Sequence, residues 1–182
     1  MHQTHEPVAL ARDVIGVLIP AGTRVELPEG AQARVTQALG GSYTIQVEGH
    51  LFRLDGKDAD AIGREPPEPP ELPENASEED IETAVWRQMA TCYDPEIPVN
   101  IVDLGLVYDC WLDKLDDGQR KVNVKMTLTA PGCGMGDFLI ADIRDKVMQV
   151  PGIGDAHVDL VFDPPWSREM MSEAAQVELG MF

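Results

Sequence analysis

The sequence is poor in several features that would point directly to a function. It has only three cysteines, Cys92, Cys110 and Cys133, and none of them forms a C-x-x-C pair. A disulfide framework or a four-cysteine structural zinc site is therefore not expected. No apolar run reaches the roughly 18 residues that a membrane-spanning helix needs, and the N-terminus lacks the pattern of a secretory signal. We expect a protein of the reducing cytoplasm.

Basic residues are also scarce. The chain carries 14 lysines and arginines against 32 aspartates and glutamates, which gives a formal net charge of −18. The charge is −3 over residues 1–63, −3 over 64–76 and −12 over 77–182. Such a surface repels phosphate backbones and anionic lipids, so neither nucleic acid nor a membrane is an expected partner.

Residues 1–63 predict a small all-β domain after a flexible N-terminal tail. Short segments of alternating polarity are separated by turn residues, and Gly40-Gly41 is a hairpin signal. This spacing predicts a small barrel or SH3-like sheet. The expected strands are Val14–Ile19, Thr23–Leu27, Ala33–Leu39, Ser42–Val47 and Leu51–Leu54.

Residues 64–76 predict a linker. Five prolines alternate with glutamates in this segment, and such a composition favours an extended polyproline II spacer that cannot build a core.

Residues 77–182 predict an α+β domain, a small sandwich with the order αββαβα. Ser77 is a suitable N-cap for the first helix, with Asp80 three residues later. Ser167 is the expected cap of the last helix. The elements between them are strands at Leu106–Leu112 and Lys121–Leu128, a helix at Asp137–Val150 and a strand at Ala156–Phe162.

Cys133 is the main candidate for chemistry. It lies between the end of a predicted strand and the start of a helix, flanked by Gly132 and Gly134. Unpaired N–H groups and the positive end of a helix dipole stabilise a thiolate, the form that binds metals and attacks electrophiles. Cys92 ends an apolar helical stripe and Cys110 lies within a strand, so we interpret both as packing residues.

Three segments combine suitable side chains with irregular backbone. Asp94 and Glu96 follow the first helix, Thr127 and Thr129 precede the Cys133 loop, and Trp166 follows the third strand. If the first two strands are neighbours, the acids and threonines meet at one edge of the sheet. A carboxylate, a hydroxyl and a thiolate together can bind a soft metal or act on a carbonyl group.

A resemblance now becomes specific. The run Asp94-Pro-Glu-Ile-Pro-Val-Asn-Ile-Val-Asp-Leu-Gly-Leu-Val, followed by Thr-Leu-Thr-Ala-Pro-Gly-Cys, resembles the small α/β domain of iron–sulfur assembly factors. That family includes the PaaD-like proteins and the eukaryotic cytosolic iron–sulfur targeting factor. The ending Trp166-Ser-Arg-Glu-Met-Met and the extra N-terminal β unit are similar to its SufT type, which serves the bacterial SUF system.

The resemblance implies help in maturing iron–sulfur proteins, without enzymatic turnover. The family cysteine falls on Cys133, the family aspartate on Asp94 and the family threonine on Thr129. The cargo would be iron or a transient cluster, and the partners would be assembly proteins and apo-clients. One departure is Gly134, which stands where many members have proline.

Three hypotheses follow. In the first, Cys133 transiently binds iron or a cluster, and two copies across a homodimer would supply two thiolates. In the second, the protein is an adaptor that docks the assembly machinery to clients, and its cysteine is structural. In the third, Cys133 is the nucleophile of a thiol-transfer enzyme.

Overall fold

The computed structural model describes residues 6–94, 97–130 and 134–180. The chain divides into two compact units between Glu68 and Pro69, which lies inside the proline-rich segment. The predicted domain limits themselves stay a prediction. Within the described ranges, no helix is both long and apolar enough to cross a membrane.

The first unit is built on one six-stranded antiparallel sheet. Its strands are β1 (Glu6–Ala9), β2 (Val14–Ile19), β3 (Arg24–Leu27), β4 (Gln32–Leu39), β5 (Ser42–Val47) and β6 (His50–Leu54). They lie side by side in the order β1-β4-β5-β6-β2-β3. A 3-10 helix at Gly56–Ile62 follows the last strand.

The alternating segments of this unit form strands β2 to β6 close to the predicted limits. Val35 of β4 and Ile45 of β5 are buried in its core, which is where a period of two places alternate residues of a half-buried strand. Strand β1 and the 3-10 helix were not predicted. The barrel or SH3-like arrangement stays a prediction.

The second unit combines a three-stranded sheet with helices, so the protein as a whole is mixed α+β. Its helices are α1 (Glu78–Met89), α2 (Gly136–Val147) and α3 (Glu173–Glu178), and its strands are β7 (Val107–Lys114), β8 (Arg120–Met126) and β9 (Ile153–Leu160). Strand β8 is central, antiparallel to β7 and parallel to β9. Helix α2 connects the parallel pair, as a crossover between parallel strands requires.

One face of this sheet packs against the helices. Cys110, Val124 and Val158 lie side by side on it and are buried. Gly136 at the start of α2 lies close to Leu160 of β9, because a Cβ atom there would be 3.2 Å from the leucine methyl group. This contact brings the first turn of α2 against the sheet.

Capping residues in the sequence predict the start of the first helix of this unit correctly, but not the start of its last helix. Ser77 caps α1 in a reciprocal capping box with Asp80, as predicted. The predicted last helix is present, but its predicted cap at Ser167 is wrong: a short 3-10 turn forms there, and extended backbone at Met171 ends it. Helix α3 begins only after Ser172, whose hydroxyl accepts a hydrogen bond from the Ala175 amide.

Candidate functional site

The connection between α1 and β7 ties the predicted site segments together through its backbone. The Ile101 amide donates to the Cys92 carbonyl at 2.9 Å, and the Leu106 amide donates to the Ile101 carbonyl at 3.0 Å. The Thr127 amide in turn donates to the Leu106 carbonyl at 2.8 Å. The segment after α1, which carries Asp94, and the segment after β8 are therefore both hydrogen-bonded to the loop that precedes β7.

This loop is stiffened by a polar turn. The Asn100 side chain donates to the Asp103 carboxylate at 2.8 Å, and its own oxygen accepts from the Asp103 amide at 2.9 Å. Such two-way bonding between a side chain and a nearby backbone amide fixes a turn without regular secondary structure.

The C-terminal segment holds the same loop from the other side. The indole nitrogen of Trp166 donates to the Leu104 carbonyl at 2.7 Å. The Tyr108 hydroxyl donates to the Pro164 carbonyl at 2.7 Å. Trp166, predicted as a pocket residue, therefore contacts the loop that follows Asp94. Its hydrogen bond anchors the C-terminal segment to that loop.

Gly105 permits a close approach in this region. Its φ angle is +77°, and a Cβ atom at this position would collide with the carbonyl oxygen of Met170. The Ser172 amide donates to the Asp103 carbonyl at 2.7 Å, so a second bond joins the same two segments of the chain. Glycine alone adopts the left-handed backbone without strain and has no Cβ atom to collide with Met170.

The predicted pocket residues differ in their exposure. Asp94 is only 7% exposed and Thr127 is fully buried. The Thr127 hydroxyl has no hydrogen-bond partner among the described residues. Thr129 is half-buried, and Gly134 is exposed with a φ angle of +75°. The two segments thus present one buried carboxyl group and one buried hydroxyl group.

Glu96, Gly132 and Cys133 lie outside the described residues, so their predicted roles are not placed. The helix that follows them is described: α2 begins at Gly136 after Met135, and no side chain of the described residues caps its first amide groups. Amides at a helix start without a side-chain cap are available to water or to an anionic group.

The other two cysteines are packing residues, as predicted. Cys92 is fully buried, and its thiol donates to the Gln88 carbonyl at 3.7 Å. Cys110 is 7% exposed. Burial, with a smaller contribution from the charges of Glu82 and Asp109, raises the pKa of its thiol to about 12. In the part of the chain that the structure describes, no three cysteine, histidine or acidic side chains are grouped to hold a metal ion.

Sequence reasoning missed the anchoring partners Leu104, Tyr108 and Met170. The bonds to Trp166 and Tyr108 span 62 and 56 residues of sequence, and no local pattern signals such contacts. The one available signal was Gly105, because a glycine before a strand marks a turn or a close approach.

Comparisons with known proteins place the second unit among proteins of iron–sulfur metabolism. A family described as iron–sulfur cluster assembly protein matches residues 82–160. An Fe-S protein maturation auxiliary factor from Porphyromonas gingivalis is 51% identical over 104 residues, which are 57% of this chain and 91% of that protein. The Fe-S protein maturation auxiliary factor SufT from Staphylococcus aureus is 42% identical over 88 residues, 48% of this chain and 96% of that protein.

Among solved structures, the chain resembles a domain of unknown function, DUF59, from Bacillus anthracis. The sequences are 35% identical, the TM-score is 0.49, and the match covers 57% of this chain and 95% of that one.

Proposed function

The chain belongs to the iron–sulfur cluster assembly protein family, and on this premise we propose that it is an accessory factor in the assembly of iron–sulfur clusters or in their transfer to client proteins. The observation that carries the proposal is the 51% identity to a maturation auxiliary factor over 91% of that relative's length. The family match at residues 82–160 also includes Asp94, Thr129 and Cys133, the three positions that the sequence motif singles out.

Within this role, Cys133 is the proposed ligand of transient iron or a transient cluster. Soft thiolates are the preferred protein ligands of such clusters. The properties of the other thiols support the assignment: Cys92 is fully buried, and the pKa of Cys110 is raised to about 12. A buried thiol that stays protonated is a poor ligand and a poor nucleophile.

Asp94, Glu96, Thr127, Thr129 and Trp166 are proposed to shape the surroundings of Cys133, and Gly132 and Gly134 to leave room for the cargo. Thr127 supports this view most directly. A fully buried hydroxyl without a partner costs about 1–3 kcal/mol of folding free energy, and Thr127 has no partner among the described residues. Such a hydroxyl is suited to orient a neighbouring group or a water molecule.

We propose that the protein performs no turnover and works through partners in the cytoplasm, namely assembly proteins and apo-clients. A reducing compartment agrees with the free thiols of Cys92 and Cys110. The adaptor hypothesis remains the second candidate. It is favoured by the first unit, residues 1–68, which folds around its own core and lies outside the family match.

Anaerobic reconstitution with iron and sulfide tests the ligand. We expect wild type to gain iron, acid-labile sulfide and a visible charge-transfer band, and Cys133→Ser to lose all three, because Cys92 is fully buried and burial raises the pKa of Cys110. Cys110→Ser is the matched control and should retain them. Circular dichroism verifies that both variants fold, and the oligomeric state shows whether two copies share a cluster.

Binding that survives in Cys133→Ser would contradict the ligand assignment. The adaptor hypothesis would then lead, and client binding by the same variant would be the next measurement.

A further inference from the structure

The face of the three-stranded sheet that points away from α1 and α2 carries an exposed aromatic residue in its central row. The strand register places Trp111, Asn123 and His157 side by side there. Trp111 is 38% exposed, and His157 is exposed as well. An exposed indole leaves apolar surface in contact with water, and a binding partner would bury that surface. Tryptophan is also enriched among the residues that contribute most of the binding energy of protein interfaces.

A charged row lies on one side of this central row. Asp109, Lys125 and Asp159 occupy matching positions on β7, β8 and β9. The ammonium group of Lys125 lies 5.7 Å from the centroid of the Trp111 ring, within the range of a cation–π interaction. The indole ring thus already contacts one cation of this chain, and an arginine of a partner would have to replace Lys125 there or stack on the opposite face of the ring.

A second charged row repeats the pattern on the other side. Asp113, Lys121 and Asp155 again occupy matching positions on the three strands. Asp113 also accepts a hydrogen bond from the Asn123 side chain at 2.8 Å, which fixes the carboxylate on this face. Each lysine thus stands between two aspartates.

The charges of this face do not balance. Four aspartates on the outer strands oppose two lysines on the central strand, so two negative charges remain in excess. Across a sheet, opposite charges that face each other on neighbouring strands stabilise the pair only modestly, and solvent screens them. Each of the four carboxylates already has one hydrogen-bond partner within the sheet, which for Asp159 is the His157 ring at 2.8 Å. Because a carboxylate has acceptor sites for several hydrogen bonds, all four can still interact with an approaching cation.

We propose that this face, defined by Trp111 and the aspartates of β7 and β9, binds a cationic segment of a partner protein. Arginine side chains of that segment would stack on the indole and pair with the flanking carboxylates. The net charge of −18 would speed the approach of such a partner. The same charge disfavours nucleic acid and a second copy of this acidic face.

The inference goes beyond the proposed function, because it concerns the kind of partner and not the cargo. It also does not depend on Cys133, so a failed reconstitution would leave it standing, and a failed partner test would leave the ligand assignment standing.

Titration of the full chain with a short synthetic peptide of alternating arginine and serine tests the proposal. At low ionic strength we expect saturable binding, with amide chemical shifts changing along β7, β8 and β9. Asp109→Asn with Asp159→Asn should weaken binding about threefold to tenfold, as expected for the loss of two partly exposed ion pairs. Trp111→Thr should weaken it as well, since it removes the cation–π partner.

The matched control is Glu68→Gln with Glu71→Gln, which removes the same charge from exposed positions of the proline-rich segment. It should leave the affinity within about twofold of wild type. Equal weakening by both double variants would show that only net charge matters and would overturn the proposal. No saturable binding, or shift changes confined to other elements, would also overturn it.

Discussion

At the scale of single residues, the two described cysteines take their properties from their buried surroundings. Cys92 follows α1 and is fully buried, and Cys110 lies on the helix-facing side of β7. Low dielectric surroundings disfavour the thiolate. The pKa of Cys110 accordingly rises to about 12, which makes this thiol a poor metal ligand and a poor nucleophile.

Cys110 should resist alkylation in the folded protein. At about pH 8, a thiol with a pKa of about 12 is ionised in only on the order of one molecule in ten thousand. We expect iodoacetamide to label Cys110 rapidly in urea and hardly at all in buffer, as measured by mass spectrometry of the digested protein. Similar labelling rates in both conditions would show that the thiol is neither buried nor shifted.

These packing roles could be predicted from sequence because they follow from the predicted elements. Cys92 continues an apolar helical stripe, and Cys110 lies inside a predicted strand. The burial of Thr127 could not be predicted in this way. Thr127 alternates with the apolar residues of β8, so the pattern places it on the polar side, yet it is fully buried and its amide donates to the Leu106 carbonyl of a distant segment.

At the scale of elements, the C-terminal segment and the loop before β7 stabilise each other. Trp166 donates to the Leu104 carbonyl, and Gly105 lies directly against Met170. Because the loop also bonds to Thr127, the C-terminal segment helps to fix the surroundings of the candidate site.

Gly105→Ala should destabilise the protein more than the same change at another glycine with positive φ. Gly118 has a φ angle of +85° and no atom within 4 Å of an added Cβ, so Gly118→Ala measures the backbone strain alone, about 1–2 kcal/mol. Gly105→Ala adds a collision with the Met170 carbonyl and should lower the free energy of unfolding by at least about 1 kcal/mol more.

Denaturant titration of both variants measures this difference. Equal losses of stability would contradict the prediction. They would mean that the C-terminal segment moves away from residue 105 without a loss of free energy, and that its packing there does not stabilise the loop.

The elements that sequence reasoning found are those with local signals. The capping box of Ser77 and Asp80 spans four residues and specifies the start of α1. Strand β1 was missed because it is short, contains Pro7 and pairs with β4, which is distant in sequence. Hydrophobic alternation gives no information on the direction of pairing, so the parallel arrangement of β8 and β9 could not be read from it.

At the scale of the whole molecule, the two units have separate cores. The family match lies entirely within the second unit, and residues 77–182 carry −12 of the total charge of −18. The proposed cargo chemistry and the proposed docking face both belong to this unit.

A chain that starts at Pro69 should therefore fold and bind iron and sulfide as the full protein does. Its three strands and three helices bury their own core, so circular dichroism should show a cooperative thermal transition. Iron per chain after reconstitution should equal that of the full chain. A folded fragment that binds no iron would assign part of the site to residues 1–68.

The position of the aspartates in the second sheet has one more consequence. Within the described residues, β7 and β9 each have one side without a hydrogen-bonded neighbour, and such strand edges invite aggregation by pairing with further chains. The carboxylates of Asp109, Asp113, Asp155 and Asp159 stand on these two edge strands, while the lysines stand on the central one. Edge-to-edge stacking of two copies would bring carboxylates together, so this distribution of charge protects the sheet from polymerising.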